Sequence, residues 1–386
     1  MTKNYELKTL GSVATYINGR AFKPSEWEST GLPIVRIQNL TDKNAKCHYS
    51  SAAYEEKYKI HNGDLLFAWS ASLGAHIWNQ NDAWLNQHIF KVIPNDNIDK
   101  LYLYYYLQKV IAELYLKTHG SGMVHITKGP FMNTSIPVPS YTEQSRIVAH
   151  IEELFSELDK AVDTLKTTKE QLEVYRQAVL KDAFSDFEKK DSIRNLTMVV
   201  TSGSRGWAKY YSNSGALFVR IGNLTHSGID IDFRDIQHIT PPDNAEGVRT
   251  RLQPNDVLVS ITADLGSIGF VSEKVEEAYI NQHIALVRFQ NPVQGRFMAW
   301  YLRSEYGQKD LLKNKRGGGK LGLGLDDIRD TPVPIVDDVT AKETVDKIEE
   351  QLSVCNSIEK TVDTALVQTD AMRQSILKQA FKEGSI

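Results

Sequence analysis

The hydrophobic residues of segment 144–184 recur in alternating steps of four and three. No proline or glycine interrupts this stretch, and Ala161 and the polar Thr168 stay in the same frame. A period of 3.5 residues is typical of a coiled-coil helix whose a and d positions form an apolar seam. The predicted seam of this central helix consists of Ile147, Ile151, Leu154, Leu158, Leu165, Leu172, Tyr175 and Val179.

A second segment near the end of the chain continues the same frame 197 residues later. Its predicted seam consists of Ile348, Cys355, Ile358, Val362, Met372 and Ile376. Thr142 with Glu143, and Thr340, stand where helix caps are expected. Two seams of similar length favour antiparallel pairing of the helices with each other. The alternative is that each helix packs only on the domain that precedes it.

The segments before these helices have a different pattern. Short apolar runs are separated by Gly, Pro, Asn and Asp, which predicts strands and turns. Strands are expected at 35–37, 64–69 and 89–93 and again at 219–221, 256–261 and 285–289, and helices at 101–116 and 295–312. The predicted fold class is therefore α+β, with two tandem domains that are each followed by a long helix.

Four blocks of sequence occur twice and in the same order. VRIQNLT at 35–41 returns as VRIGNLT at 219–225, and NQHI at 86–89 returns at 281–284. PVP at 137–139 returns at 332–334, and RQAVLKDAF at 176–184 returns as RQSILKQAF at 373–381. Ordered blocks with slowly drifting offsets indicate duplication. The predicted domains are 1–141 and 187–339, followed by coiled-coil helices at 142–186 and 340–386.

Composition changes this picture little, whereas the distribution of charge matters. The chain has 386 residues, 41% hydrophobic and 24% charged, as in ordinary globular proteins. Its net charge is −3, but segments 141–186 and 340–386 carry −6 between them, which leaves +3 on the remainder. Charge therefore permits nucleic-acid binding by the two domains. Two distant cysteines, without a signal peptide or membrane span, predict a cytoplasmic protein.

Motifs for catalysis are missing from the sequence. There is no GxxxxGK[ST] motif of an ATP-driven motor and no Asn/Asp-Pro-Pro-aromatic loop of an amino-methyltransferase. Gly317, Gly319 and Gly322 match GxGxxG but precede a strand instead of following one, so a phosphate-contacting loop or an ordinary surface loop is the better interpretation. His88 and His283 lack metal-ligand partners at suitable spacing, which favours structural histidines. No metal site is predicted.

Taken together, the repeated blocks resemble the specificity subunit of type I restriction–modification enzymes. The resemblance rests on VRIxNLT, the strands beginning GDLL and NDVL, NQHI, the glycine-rich turn before xPVP, and the helix ending RQxxLKxAF. It implies two target-recognition domains that each read half of a bipartite, asymmetric DNA target. It also implies two bound methyltransferase subunits and restriction (motor-nuclease) subunits. S-adenosylmethionine, ATP and Mg would belong to those partners, with no cofactor in this chain.

The two copies differ most in the stretches between the shared blocks, for example at 42–60 and 226–251. A common scaffold with divergent inserts predicts two different half-sites, so DNA contacts are expected where the copies diverge. The candidates in the first domain are Arg20, Lys23, Trp27, Ser70, Ser72, Ser121, His125 and Lys128. Those in the second domain are Arg205, Trp207, Lys209, Tyr210, Thr262, Asp264, Arg316 and Lys320.

Two questions stay open at the level of sequence. Arg36 and Arg220 recur in both copies, so they are either shared phosphate contacts or framework ion pairs. The chain as a whole is predicted to be a non-catalytic DNA-recognition subunit with enzyme partners. The alternative is a stand-alone two-module DNA-binding regulator or decoy without such partners.

Overall fold

A computed structural model describes residues 5–42, 44–116, 128–243, 245–313, 315 and 322–382. By its internal contacts the chain divides into two compact units. Unit 1 comprises Met1–Leu165 and Thr364–Ile386, and unit 2 comprises Lys166–Asp363. Each unit thus combines one repeated module with a part of each long helix. The predicted domain boundaries remain a prediction.

The described residues of unit 1 form two four-stranded sheets and a two-stranded one. Its strands are β1 (Glu6–Thr9), β2 (Ala14–Asn18), β3 (Leu32–Val35), β4 (His48–Ser50), β5 (Lys59–Ile60), β6 (Leu65–Ala68), β7 (Gly74–Ile77), β8 (Ala83–Leu85), β9 (Ile89–Pro94) and β10 (Ser135–Val138). The sheet orders are β2-β9-β6-β7, β4-β3-β8-β5 and β1-β10. All neighbours are antiparallel except β3 and β8, which are parallel.

The helices of the first half of the chain are α1 (Leu10–Val13), α2 (Ile37–Thr41), α3 (Lys100–Leu116), α4 (Lys128–Met132) and α5 (Tyr141–Ala183). The largest core of unit 1 lies between the β2-β9-β6-β7 sheet and α3, with Ile147 and Ile151 of α5 packed into it. Leu377 and Ala380 from the end of the chain join the same core. Tyr102 of α3 meets the ring of Phe381, with centroids 5.2 Å apart.

Unit 2 repeats this architecture. Its strands are β11 (Lys190–Ser192), β12 (Thr197–Ser202), β13 (Tyr211–Ser212), β14 (Ala216–Val219), β15 (Gln237–Ile239), β16 (Val257–Ser260), β17 (Ile268–Phe270), β18 (Ala278–Ile280), β19 (Ile284–Phe289) and β20 (Pro332–Pro334). The sheet orders are β12-β19-β16-β17, β13-β15-β14-β18 and β11-β20, with β14 and β18 parallel. The order β15-β14-β18 corresponds to β4-β3-β8 of unit 1. The two sheets differ in their fourth strand, which is β5 beside β8 in unit 1 and β13 beside β15 in unit 2.

The helices of the second half are α6 (Ile193–Leu196), α7 (Ala245–Thr250), α8 (Gly295–Arg303), α9 (Glu305–Leu311), α10 (Leu325–Arg329) and α11 (Asp338–Lys382). Val179, Leu180 and Phe184 from the end of the central helix pack in the main core of unit 2 together with Val345 and Ile348 of α11. In each unit, both long helices therefore share the core of a module. No helix within the described ranges is long and apolar enough to span a membrane.

The repetition extends to unusual backbone conformations. Ala71 and Ala263 stand at equivalent places and have φ angles of 59° and 60°. Gly63 and Asn255 also correspond, with φ of 87° and 70°. Such left-handed conformations are uncommon for residues other than glycine. Their recurrence shows that the duplication preserved the backbone path as well as the sheet order.

Several sequence-based assignments need correction. The strand in the VRIxNLT block ends at Val35, because the Asn39 side chain accepts a hydrogen bond from the Arg36 backbone amide at 3.0 Å and starts α2. The helix expected at 295–312 is divided at Ser304, whose hydroxyl accepts from the Gly307 amide at 3.3 Å.

The caps of the two long helices also lie earlier than predicted. The Ser140 hydroxyl accepts from the Glu143 amide at 3.4 Å, and the Asp337 carboxylate accepts from the Thr340 amide at 2.8 Å. Thr142 lies within the first turn of its helix, and Thr340 donates its hydroxyl to Asp337 at 3.1 Å. The cap is therefore the residue just before the helix in each case.

Candidate nucleic-acid interface

Trp27, an aromatic candidate of the first module, lies at the surface with 37% of its area accessible. Its ring stacks on His48, with centroids 3.9 Å apart and planes inclined by 19°. The Arg36 guanidinium lies 6.0 Å from the Trp27 ring. Burial, together with the positive charges of Arg36 and Lys46, lowers the pKa of His48. Sequence reasoning missed His48, which β4 brings beside Trp27 although it is 21 residues away in sequence.

Arg20 is half-buried in the first module. Its guanidinium pairs with Glu26 at 2.5 Å and lies 4.2 Å from the ring centroid of Tyr54 and 4.9 Å from that of Phe22. Glu26 also accepts from the Lys23 amide at 2.7 Å, so the ion pair fixes the turn that carries the exposed Lys23 side chain. Through Glu26, Arg20 therefore stabilises the turn that presents Lys23. A direct contact of Arg20 with DNA remains a prediction.

The turn after β6 carries the next candidates. Ser70 is only 1% exposed, so its side chain cannot contact DNA in this conformation, and the prediction for this residue is wrong. Ala71 follows in the left-handed region, and Ser72 is exposed. The Ser72 amide donates to the Ser70 carbonyl at 2.7 Å, which tightens the turn. Residue type alone could not reveal that the first serine faces inward.

Trp207 is the second correction, because it is a core residue. It is 3% exposed, its ring stacks on Phe218 at 5.1 Å, and its indole N–H donates to Glu246 at 2.7 Å. The other candidates of the same segment lie at the surface: Arg205 and Lys209 are exposed, and the Lys209 ammonium lies 4.8 Å from the ring of the half-buried Tyr210.

The turn after β16 corresponds to the turn after β6. Thr262 is half-buried, and its hydroxyl lies 2.5 Å from His283 Nδ1. Asp264 is exposed and contacts His226 Nε2 at 2.7 Å. His226 comes from the divergent segment 226–251 but was not singled out from the sequence. The structure thus brings residues from three separate segments together at this turn.

Ser121, His125, Arg316 and Lys320 lie outside the described residues, as does most of the glycine-rich segment. Lys128 is exposed at the first residue of α4. Lys313 and Lys315 lie just after α9, and both are exposed.

The repeated polar residues belong to the framework. The Asp64 carboxylate pairs with Lys91 at 2.9 Å, and at the equivalent place Asp256 pairs with Arg288 at 2.7 Å. Gln282 Nε2 approaches His283 Nε2 at 2.8 Å, which is the kind of contact expected of a structural histidine. Among the described residues no three His, Cys, Asp or Glu side chains gather as metal ligands would.

The recurring arginines differ in their contacts. Arg220 donates to the Asp235 backbone carbonyl at 3.2 Å and to its carboxylate at 3.3 Å. Arg36 lies against Trp27 instead. The asparagine of each VRIxNLT block is the constant element, since Asn39 and Asn223 each accept from the amide of the preceding arginine, at 3.0 and 2.8 Å. The shared feature of the VRIxNLT block is therefore this asparagine-capped turn, whereas the contacts of its arginine differ between the copies.

The long helices run antiparallel within each unit. In unit 2, Lys169 pairs with Asp363 at 2.8 Å, and Arg176 pairs with Glu359 at 2.7 Å. In unit 1, Arg373 pairs with Asp159. Residue numbers thus fall along one helix as they rise along the other, which confirms the predicted antiparallel coiled coil.

Three residues assigned to the seam are exposed instead: Tyr175, Ile358 and Met372. The buried position next to Tyr175 is taken by Arg176, which is 6% exposed and also donates to Asn356 at 2.8 Å. A search for apolar spacing passes over a buried arginine, so the predicted frame is shifted by one residue there. Leu377 in place of Ile376 shows the same shift, being fully buried while Ile376 is half-buried.

Comparison with known proteins finds similarity to the specificity subunits of type I restriction enzymes. Residues 2–174 match the family described as the type I restriction modification DNA specificity domain. The chain is 25% identical to the EcoBI specificity subunit of Escherichia coli, with 97% of this chain and 85% of the relative aligned. It is 24% identical to the StySPI specificity subunit of Salmonella potsdam, over 97% and 87% of the two chains.

Solved structures share the fold. A chain from a study of complex assembly and conformational transition of the type I R-M system superposes with a TM-score of 0.71 at 18% identity, covering 99% of this chain and 98% of that one. The HsdS subunit of Thermoanaerobacter tengcongensis gives a TM-score of 0.56 at 17% identity, covering 99% and 97%. The similarity extends over both modules and both long helices.

Proposed function

We propose that the chain is a specificity subunit of the type I restriction–modification family and reads a bipartite, asymmetric DNA target with one module on each half. Members of this family are the non-catalytic, DNA-recognising subunits. The observation that carries the proposal is the pairing of one framework with two different surfaces. The sheet order, the Asp–cation pairs and the left-handed alanines recur, whereas exposed residues at equivalent places differ, as Ser72 and Asp264 do.

The long helices are proposed to set the distance between the two half-sites. The central helix has 43 residues, which corresponds to about 65 Å at 1.5 Å per residue. DNA rises about 3.4 Å per base pair, so a helix of this length matches more than one turn of the duplex. Ion pairs between the helices in both units support a rigid spacer.

The helix pair is also the proposed docking surface for enzyme subunits. In unit 2 an open groove is lined by exposed apolar side chains of both helices: Tyr175, Val354 and Ile358. Val174, beside them in sequence, is exposed as well. Contiguous exposed apolar side chains on a soluble protein favour contact with a protein partner. Two methyltransferase subunits and the restriction subunits are the proposed partners, and they would supply S-adenosylmethionine, ATP and Mg. The cytoplasm remains the predicted compartment.

Affinity purification of the full tagged chain from its host tests the partners. We expect a methyltransferase subunit to co-purify, and a double substitution, Tyr175→Glu with Ile358→Glu, to abolish this by burying charge against the partner. Val248→Glu, at an exposed valine in unit 2 outside the long helices, is the matched control. If the wild-type chain binds target DNA but brings down no methyltransferase, the stand-alone regulator or decoy is the better description.

A further inference from the structure

The turns after β6 and β16 combine a strained backbone with changed side chains. Ala71 and Ala263 occupy the left-handed region in both modules. A non-glycine residue costs free energy there and persists only where the surroundings hold it, which is why such residues concentrate at binding sites. The residue that follows is Ser72 in one module and Asp264 in the other, and both are exposed.

In unit 2 the turn is fixed from beneath by buried hydroxyl groups. The Ser260 hydroxyl donates to the Asp264 backbone carbonyl and accepts from the Ser267 amide at 2.8 Å, and both serines are fully buried. Gln308 of α9 donates to the Gly266 carbonyl at 2.8 Å. The backbone of the turn is therefore held independently of its exposed side chains.

The exposed tip of this turn carries a pair of hydrogen-bonding groups. Asp264 Oδ1 lies 2.7 Å from His226 Nε2, and the two side chains are 58% and 51% exposed. The Ser267 hydroxyl contacts the same imidazole nitrogen at 3.1 Å and Asp264 Oδ2 at 3.2 Å. The carboxylate is thus oriented by two neighbours while much of it faces solvent.

Positive charge lies close by in the chain. Three residues after α9 begins, Gln308 contacts the turn, and the helix is followed by Lys313 and Lys315. Gly322 forms a bridge with Thr262 of the same turn. Exposed lysines that follow the contacting helix in sequence suit a DNA surface, because phosphate contacts position a protein while side chains at base edges give specificity.

We propose that the residue after the left-handed alanine is a specificity-determining position in each module: Ser72 in the first and Asp264 in the second. The Asp264 carboxylate accepts a hydrogen bond from an exocyclic amine in the major groove, of cytosine or adenine. His226 acts as a positioning residue that holds the carboxylate. This inference rests on the proposed function, since it assigns a base contact to a module that reads DNA.

Selection from a random duplex library with the full chain and any co-purifying subunits tests this assignment. The wild-type chain is expected to select a bipartite motif. Asp264→Asn should reduce discrimination about tenfold at one base pair of one half. That base identifies the amine as cytosine or adenine. Ser72→Asp should change the other half only. The matched control is Asp330→Asn, because Asp330 is 59% exposed and pairs with Arg194 away from the turn.

An unchanged motif for both Asp264→Asn and Ser72→Asp overturns the proposal, as does a change of both halves by either one. Thermal unfolding of each variant reports on folding. If Asp264→Asn fails to fold, Ser72→Asp decides, and an unaltered half-site overturns the assignment. A wild-type chain that selects no motif contradicts the proposed function instead, so the two failures are distinguishable.

Discussion

At the scale of single residues, the buried ion pair between Asp256 and Arg288 is expected to be important for the stability of the second module. Asp256 is fully buried, and its two carboxylate oxygens accept from Arg288 at 2.7 Å each. We expect Arg288→Met to lower the free energy of unfolding by about 3 kcal/mol, because it leaves a buried carboxylate without its partner. Urea denaturation followed by circular dichroism measures the loss.

Arg194→Met is the control, since it removes an exposed pair with Asp330 and should cost less than about 1 kcal/mol. Equal losses in the two variants would mean that burial of the Asp256 pair has no special weight.

The neighbours of His48 predict a pH effect in the first module. Burial and the charges of Arg36 and Lys46 lower its pKa below the ordinary 6.5. Since the folded pKa is the lower one, this residue contributes stability above pH 6.5 that is lost as the pH falls through the folded pKa. We expect Arg36→Gln to raise the pKa of His48 in an NMR titration. Arg205→Gln, in the other module, should leave it unchanged, and a pKa unaffected by Arg36→Gln would refute the assigned cause.

Residue types predicted the framework better than the surface. Asn39, Asp64 and their counterparts could be found by repetition, because a framework residue keeps its partner in both copies. Trp207 and Ser70 were misjudged because a side chain suited to DNA is equally suited to a core or an inward-facing turn. His226 gave no signal of its own, since its partner Asp264 is 38 residues away in sequence.

At the scale of elements, the heptad period predicted both long helices and their pairing. It failed locally where Arg176 occupies the seam, because a guanidinium satisfied by Glu359 and Asn356 replaces an apolar knob. Short elements were harder to predict. A strand was expected at 35–37, but β3 ends at Val35 and α2 begins at Ile37, because the Asn39 side chain accepts from the Arg36 amide.

The spacer hypothesis belongs to this scale. Deleting residues 163–169 and 363–369 removes one heptad from each helix at segments that the pair Lys169–Asp363 aligns. About 10 Å of helix is lost, which corresponds to roughly three base pairs of DNA. We expect the unspecified spacer of the target to shorten by about that amount, with both half-sites intact.

The control deletes only 163–169, which breaks the register of the pairing and should abolish recognition instead of shortening the spacer. Methylation sequencing of cells that carry each variant gives the motif. A double deletion that keeps the original spacer would disprove the role of the helices as a ruler.

At the scale of the whole molecule, the main feature is the duplication of one module. The two modules share a sheet order, and each unit contains parts of both long helices. We expect exchange of residues 187–339 for the equivalent module of another specificity subunit to change one half of the target and preserve the other. Selected DNA sequences before and after the exchange measure this, and a change of both halves would contradict independent reading by the modules.

The most direct test of the central claim compares the methylomes of the host with the gene present, deleted and restored. The account predicts adenine methylation at one asymmetric, bipartite motif that disappears with the gene and returns with it. A methylome that is the same in all three strains, or a lost motif that is continuous and palindromic, would contradict the proposal that this chain directs methylation through two different DNA-reading modules.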